Sequence, residues 1–315
     1  MDLASRFADI DHLIQKGRSQ EAFEKLSHLN AKELERSDLP AYAQLAWRAN
    51  APELGIRALA KYVRPDLKTT QDPSTAEVAE YAACLSRIGA HAEAEFLLAP
   101  CDPGEYPRVL FYRAALHISK WEYHLAVPIL RNFLSNSRIT PYERLVARIN
   151  VAEALVVLGE AIQANYLLRE LLHTTNLYQY QYANAKVLEL SAQNAIQRGD
   201  IEIAQKMLNS AGEMLGEAKN FEPLFISKFK LYARMHANPG EAGLLAELKE
   251  LLLRAKEIAH YETVRDLEAC IAIYNQDDKR FLRVYEGTPY LAFRSKMLSA
   301  WPNEAPAPRG ILRLG

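Results

Sequence analysis

Cysteine is scarce in this 315-residue chain: Cys84, Cys101 and Cys270 lie far apart and form no C-x-x-C pair. Zinc ribbons and disulfide frameworks need closely spaced cysteines, so the three read as buried free thiols of a reducing compartment. An excess of one charge is missing too. The 38 basic and 39 acidic residues give a formal net charge of −1. Phosphate neutralisation needs a local basic surplus, so nucleic acid is not expected on the body of the protein. Polar runs such as 247–250 read as solvated helix faces. No apolar run reaches the roughly 20 residues of a membrane span; even 145–168 is interrupted by Arg148, Glu153 and Glu160. Asp2, Arg6 and Asp9 interrupt the first apolar stretch, which argues against a signal peptide. No membrane partner is expected, and the cytoplasm follows as the default.

Local signatures of chemistry are also absent. The eight histidines form no H-E-x-x-H and no pair at i, i+4, so no metal site is expected. There is no G-x-x-x-x-G-K-[ST], no G-x-G-x-x-G after a strand and no G-x-S-x-G elbow. The expectation is a protein that is not an enzyme, with no catalytic residues and no cofactor.

What is present is a repeat. Between 140 and 215 the chain says the same thing twice: Ala154-Leu155-x-x-Leu158-Gly159-Glu160 followed by Ala164 and Leu168, then Ala195-x-x-Arg198-Gly199-Asp200 followed by Ala204 and Leu208. A helical apolar pattern runs into a Gly, a small residue follows five positions later and a Leu nine later. This is the pattern of a helical hairpin. Gly takes the left-handed turn, the acid is placed to cap the second helix, and the small residue lets the helices approach closely. Gly17 (with Ala22 and Leu26), Asn50 (Gly55, Leu59) and Gly89 (Ala94, Leu98) repeat the register, and Lys120 (Leu125, Ile129) follows it less well. The junctions 17, 50, 89, 120, 159 and 199 are 33, 39, 31, 39 and 40 residues apart.

This spacing resembles the tetratricopeptide (TPR) repeat family, over about residues 1–215. The family favours Gly seven positions before the junction; here stand Ile10, Ala43, Ala82, Arg113, Ala152 and Ala192. Four alanines keep the close contact, while Ile10 and Arg113 predict looser first and fourth pairs. The expected fold is all-α, a right-handed TPR-like superhelix of about six to seven antiparallel helix pairs with a C-terminal helical cap. In domain terms this is a TPR-like solenoid over 1–298, with its clearest repeats at 140–216 and atypical capping helices over 241–298. Asn238 is the candidate seventh junction, with Leu244, Leu245, Leu248, Leu251 and Leu252 striping the helix after it. Pro128 should kink its helix or delay its start. Residues 64–75 read as a loop, 287–289 as a turn, 290–298 as a last helix, and 299–315 as a Pro-rich tail or linker.

In TPR arrays the first helix of each pair lines a concave groove, at positions about ten, six and three before the junction. The resemblance therefore implies a partner-binding groove that includes Gln44, Trp47, His117, Glu153, Glu189, Gln193 and Tyr232. A carboxylate clamp built from the first three repeats is disfavoured by Phe7, Asp11, Gln44, Ala79 and Ala83, and an uncharged, aromatic or basic peptide suits the groove better. The run from Leu177 to Tyr182 is either a contact patch or inter-repeat packing. The function expected is an adaptor or scaffold that binds a protein or peptide in the groove. The alternative is the sensor half of a larger transcription regulator or signalling protein whose effector domain would follow residue 315, and self-association is a further option.

Overall fold

The computed structural model describes residues 2–64, 72–120, 122–215, 222–238, 240–257 and 261–286. Every regular element among them is helical, and the α-helices follow one another as hairpins. The pairs are α1 (Leu3–Gln15) with α2 (Ser19–Ser27), α3 (Leu39–Arg48) with α4 (Pro52–Val63), α5 (Thr75–Arg87) with α6 (His91–Leu98), and α7 (Arg108–Ser119) with α8 (Tyr123–Leu134). They continue as α9 (Pro141–Leu158) with α10 (Ala161–Leu177), α11 (Gln181–Arg198) with α12 (Ile201–Leu215), α13 (Glu222–Ala237) with α14 (Leu244–Glu257), and α15 (Tyr261–Tyr274) with α16 (Asp278–Glu286). The chain packs as two compact units, 1–119 with 125–147 and 120–124 with 148–315. The turn at 287–289, the helix at 290–298, the tail at 299–315 and most of the loop at 64–75 lie outside the described residues.

The turns behave as the glycine spacing predicts. Gly17, Asn50, Gly89, Gly159 and Gly199 all have left-handed backbones, with φ between 62° and 86°. In each case the next residue donates its N–H to the carbonyl five positions back: Arg18 to Leu13, Ala51 to Ala46, Ala90 to Leu85, Glu160 to Leu155 and Asp200 to Ala195, at 2.9–3.0 Å. This bond satisfies a carbonyl that the ended helix would leave bare and turns the chain back on itself. The first of the acids after glycine does other work than expected. Glu160 makes no side-chain cap on α10 and accepts from Gln163, while Asp200 takes the guanidinium of Arg198.

Three departures refine the register. In the fourth pair Leu125 is exposed, while Ala126 and Leu130 are fully buried. The small and large positions therefore lie one residue later than Lys120 implies. Ala114 then takes the close-contact position and is buried, while Arg113 instead reaches the carbonyls of Leu98, Ala99 and Cys101. Helix α8 begins at Tyr123, five residues ahead of Pro128, so proline does not delay it. In the seventh pair the left-handed residue is Gly243, directly before α14, rather than Asn238; Leu244, Leu248, Leu251 and Leu252 form the buried stripe. Helices α15 and α16, expected as caps, make a hairpin with the same turn. Gln276 has φ 55° there, and Asp277 donates to Ala272.

The small position is tightest at Gly55 of α4. A Cβ there would stand 2.6 Å from Cys84 Sγ and 3.1 Å from Cα and Cβ of Ala43. Ala43 and Cys84 are both fully buried, so α4 sits against α3 and α5 at a distance only glycine allows. Alanine is the better helix former by about 1 kcal/mol, but overpacking at a site walled by backbone costs about 1–3 kcal/mol. Gly55→Ala should therefore lower stability by about 1–2 kcal/mol in denaturant melts, and adding Cys84→Ala should recover part of the loss. A variant more stable than wild type would show that the two neighbouring helices yield freely.

Candidate functional site

The first helices of the pairs carry the polar chemistry of both units. In the unit formed by 1–119 and 125–147 the centre is Glu80 of α5, with no exposed surface at all. Its carboxylate accepts from Trp47 Nε1 of α3 at 3.1 Å, from the Tyr106 hydroxyl at 2.5 Å and from the Tyr112 hydroxyl of α7 at 2.7 Å. Arg108 Nη1 lies 3.7 Å away. A buried carboxylate is costly unless its oxygens are satisfied, and here three donors converge on them. Burial nevertheless pushes the Glu80 carboxyl above its ordinary range, against the pull of Arg108 and the three donors. The same burial, with Glu80 alongside, raises both phenols.

Arg108, at the start of α7, joins four first helices. Its Nη1 donates to Tyr106 at 2.6 Å and its Nε to Glu143 of α9. With the Gln44 amide turned so that its oxygen faces the guanidinium, α3 accepts from Nε and Nη2 at 3.2 and 3.1 Å. Burial works against the Arg108 charge, but the surrounding phenols and carboxylates outweigh it and hold it protonated. Glu143 has a second role. It accepts the Thr140 N–H at 2.8 Å while Thr140 Oγ1 accepts its own N–H, a capping box for α9. Burial raises its carboxyl, but Arg108 and the Thr140 N–H more than reverse this and hold it below the usual carboxylate range. Glu77 repeats the device, capping α5 through Ser74 and pairing with Arg36 at 2.6 Å.

Around this centre lie the partly exposed residues. Trp47 is half-buried, edge-on to Tyr112 at 5.9 Å, with the exposed Arg87 over its ring at 5.6 Å. Arg48 Nη1 reaches Asp11 at 2.6 Å, and its guanidinium lies over Tyr142 at 5.6 Å. Arg48 Nη2 has no hydrogen-bond partner among the described residues.

In the unit completed by 148–315 the connecting groups are lysines. Lys186 of α11 pairs with Glu189 at 2.8 Å, lies 3.8 Å from Glu153 of α9 and sits 5.5 Å from the Phe225 ring centre on α13. Lys228 of α13 is 5.1 Å from the same ring and pairs with the fully buried Asp266 of α15 at 2.8 Å. Gln193 donates to Glu189.

Among the groove residues expected from the sequence, Gln44 and Trp47 therefore join one network, and Glu153, Glu189 and Gln193 another. Glu189 and Tyr232 lie inside the unit, at 3% and 1% exposure. Tyr232 packs edge-on against Phe229, and its hydroxyl has no partner among the described residues, so neither side chain offers surface to a partner. His117 is half-buried on α7, and the one-residue shift of that pair puts Ile118 at the position assigned to it. Tyr178 is exposed and stacks on Tyr180 at 5.8 Å, which makes this end of the Tyr-rich run surface. Glu80, Tyr106 and Arg108 were missed by the sequence reading. The groove rule samples ten, six and three residues before Gly89, and Glu80 falls nine before it.

The fold has a solved counterpart. The chain aligns with the crystal structure of a Rap protein complexed with Competence and Sporulation Factor at TM-score 0.65 and 11% identity, covering 94% of this chain and 88% of that one. The apo form of RapI aligns at TM-score 0.49 and 11% identity, covering 95% and 90%. No family model and no curated protein matches the chain. At 11% identity the likeness to the Rap structure establishes the helical-repeat fold and no residue's role. Among the described residues no group of three His, Cys, Asp or Glu could hold a metal ion, and no helix is long and apolar enough to cross a membrane.

Removing the Glu80 carboxylate strands Trp47, two phenols and part of Arg108 without an acceptor. Glu80→Ala should cost about 3–5 kcal/mol in denaturant unfolding and change the tryptophan emission of the folded state. Glu143→Ala, at a partly exposed rim, should cost about 1–2 kcal/mol through its cap and ion pair. Equal losses would remove Glu80 from the centre of the network.

Proposed function

We propose that the chain is a non-enzymatic scaffold that holds a protein or peptide against the faces formed by the first helices of its pairs. The observation that carries this reading is the lining of those faces. In one unit partly exposed Gln44, Trp47, Arg48 and Arg108, and in the other Glu153, Lys186 and Phe225, are each held by bonds or ring contacts from a different first helix, and Gln193 is held by Glu189 of its own helix. Aromatic and guanidinium groups fixed in this way make good interface anchors. They supply contact area and directed donors while losing little side-chain entropy on binding. The Rap protein that shares the fold was crystallised with a factor bound, which supports a ligand-holding role for such a scaffold. Acid–base chemistry finds less support. The most perturbed carboxyl, Glu80, is sealed from solvent with its oxygens already engaged, so no substrate reaches it.

Capture from source-cell lysate tests the reading with three variants beside the wild-type chain. Gln44→Ala with Arg48→Ala opens one face, Glu153→Ala with Gln193→Ala opens the other, and Phe96→Ala with Tyr166→Ala alters second-helix residues that are 78% and 67% exposed. A partner held by wild type should be lost about tenfold or more from one of the first two variants and kept by the third. Loss from the third alone would move the binding surface to the second helices and end this proposal.

A further inference from the structure

The scaffold reading leaves the second helices unused, and one of them carries an unusual outer face. Helix α10 buries Ala164, Leu168, Leu171 and Thr175. Offset from these by two residues, and so on the opposite side of the helix, stand Ile162, Tyr166, Arg169, His173 and Leu177, all exposed. Such an outward face is ordinarily polar. Here Ile162, Tyr166 and Leu177 are 76%, 67% and 66% exposed, and the exposed Leu158 and Tyr178 extend the apolar surface past both ends of the helix. We propose that this face pairs with the same face of a second copy of the chain, the two α10 helices running antiparallel about a two-fold axis between Arg169 and Glu170.

The order of side chains along the face carries the choice of occupant. A two-fold interface has to be complementary to itself, so what one copy offers before the axis must match what the other offers after it. Reading outward from the point between Arg169 and Glu170, the helix gives opposite charges, then Tyr166 on one side and His173 on the other, then Ile162 and Leu177 at equal distances. Antiparallel pairing sets Arg169 against Glu170 of the second copy, Tyr166 against His173 and Ile162 against Leu177, each contact made twice. The central charges are free to meet. Arg169 makes no ion pair among the described residues. Glu170 takes Arg148 of α9, yet its side chain stays 67% exposed, and a carboxylate has lone pairs for a second guanidinium. An unrelated partner would place no such demand on the order.

Size sets the strength. From Ile162 to Leu177 the face is about 22 Å long and one helix wide, short of the ~800 Å² that each member of a stable dimer buries. The pairing is therefore weak and governed by concentration.

Sedimentation equilibrium of the full chain between about 5 and 500 µM tests this, since a weak dimer fills by mass action over such a range. Wild type should pass from monomer to dimer. Ile162→Ser with Tyr166→Ser should raise the dissociation constant about tenfold or more, while Phe96→Ser, on the large exposed aromatic of α6, should leave it within about twofold. Arg169→Glu sets like charges together on both sides of the axis and should weaken pairing about tenfold. Adding Glu170→Arg restores opposite charges without altering the net charge of −1, and should return the constant to within about threefold of wild type. A wild type monomeric throughout, an equal loss in Phe96→Ser, or a double swap as weak as Arg169→Glu would overturn the proposal. Thermal melts followed by circular dichroism separate lost pairing from lost fold. If the double swap melts well below wild type, the comparison of Ile162→Ser with Tyr166→Ser against Phe96→Ser decides alone. These variants alter no first-helix residue, so the scaffold reading stands or falls on its own test.

Discussion

A helix that stops leaves its last carbonyls without partners, and this chain meets that constraint in the same way again and again. One residue turns left-handed and the next N–H reaches back five positions, which closes the helix end and reverses the chain within three residues. Everything else follows from the reversal. Two helices so close must present small residues to each other, hence Ala22, Ala94, Ala164 and Ala204 with no exposed surface, and Gly55 where even a methyl group does not fit. The apolar position nine residues after the turn then becomes interior, and within each unit first helices pack on first helices, α1 on α3, α3 on α5 and α5 on α7 in one, α11 on α13 and α13 on α15 in the other.

Apolar packing of this kind holds a repeat to its neighbour without specifying which polar groups meet. That specification comes from charges. Glu80, Arg108 and Glu143 tie together segments 26 to 35 residues apart in sequence through contacts that leave few donors or acceptors unused. Burying a carboxylate adds little net stability, but it makes wrong registers expensive, since any slip leaves charge unpaired in a dry interior. The Arg36–Glu77 and Arg108–Glu143 pairs use one economy: the glutamate that caps a first helix also binds an arginine from the start of the preceding one.

The hairpins were legible because their cause is local. Glycine at 17, 89, 159 and 199, with alanine five residues on, carries the turn and the close approach in nine letters. Where the left-handed residue is not glycine or asparagine the signal vanishes: Gln179 and Gln276 adopt φ near 55° at a cost of about 1 kcal/mol each, and nothing in their side chains announces it. The fourth pair misled for a related reason. Without glycine at its turn, Lys120 was placed by spacing alone, and only the burial of Ala114, Ala126 and Leu130 fixes the register one residue later. The site was harder still. Trp47 and Gln44 were found by position, but Glu80 looks in sequence like any acid on a helix, and its burial depends on Tyr106 and Tyr112 arriving from the next pair. The S-x-x-E and T-x-x-E boxes at 74 and 140 were readable signs that Glu77 and Glu143 begin helices; their arginine partners were not, because those contacts span 41 and 35 residues.

The two units solve the same problem with different cations, and the difference bears on what each face can do. Arginine has five donors in a fixed plane, so Arg108 can bind Gln44, Tyr106 and Glu143 at once and hold four helices in one geometry. Lysine is a compact charge on a flexible stem. Lys186 meets Glu189 and approaches Glu153 and Phe225 without a required angle between them, and it can shift among them at little cost. A face organised by arginine is preorganised for a ligand of fixed geometry and loses little entropy in binding it. A face organised by lysine against an aromatic ring tolerates several orientations of what it holds. Under the proposed scaffold reading, selectivity belongs where Arg108 sits and tolerance around Phe225.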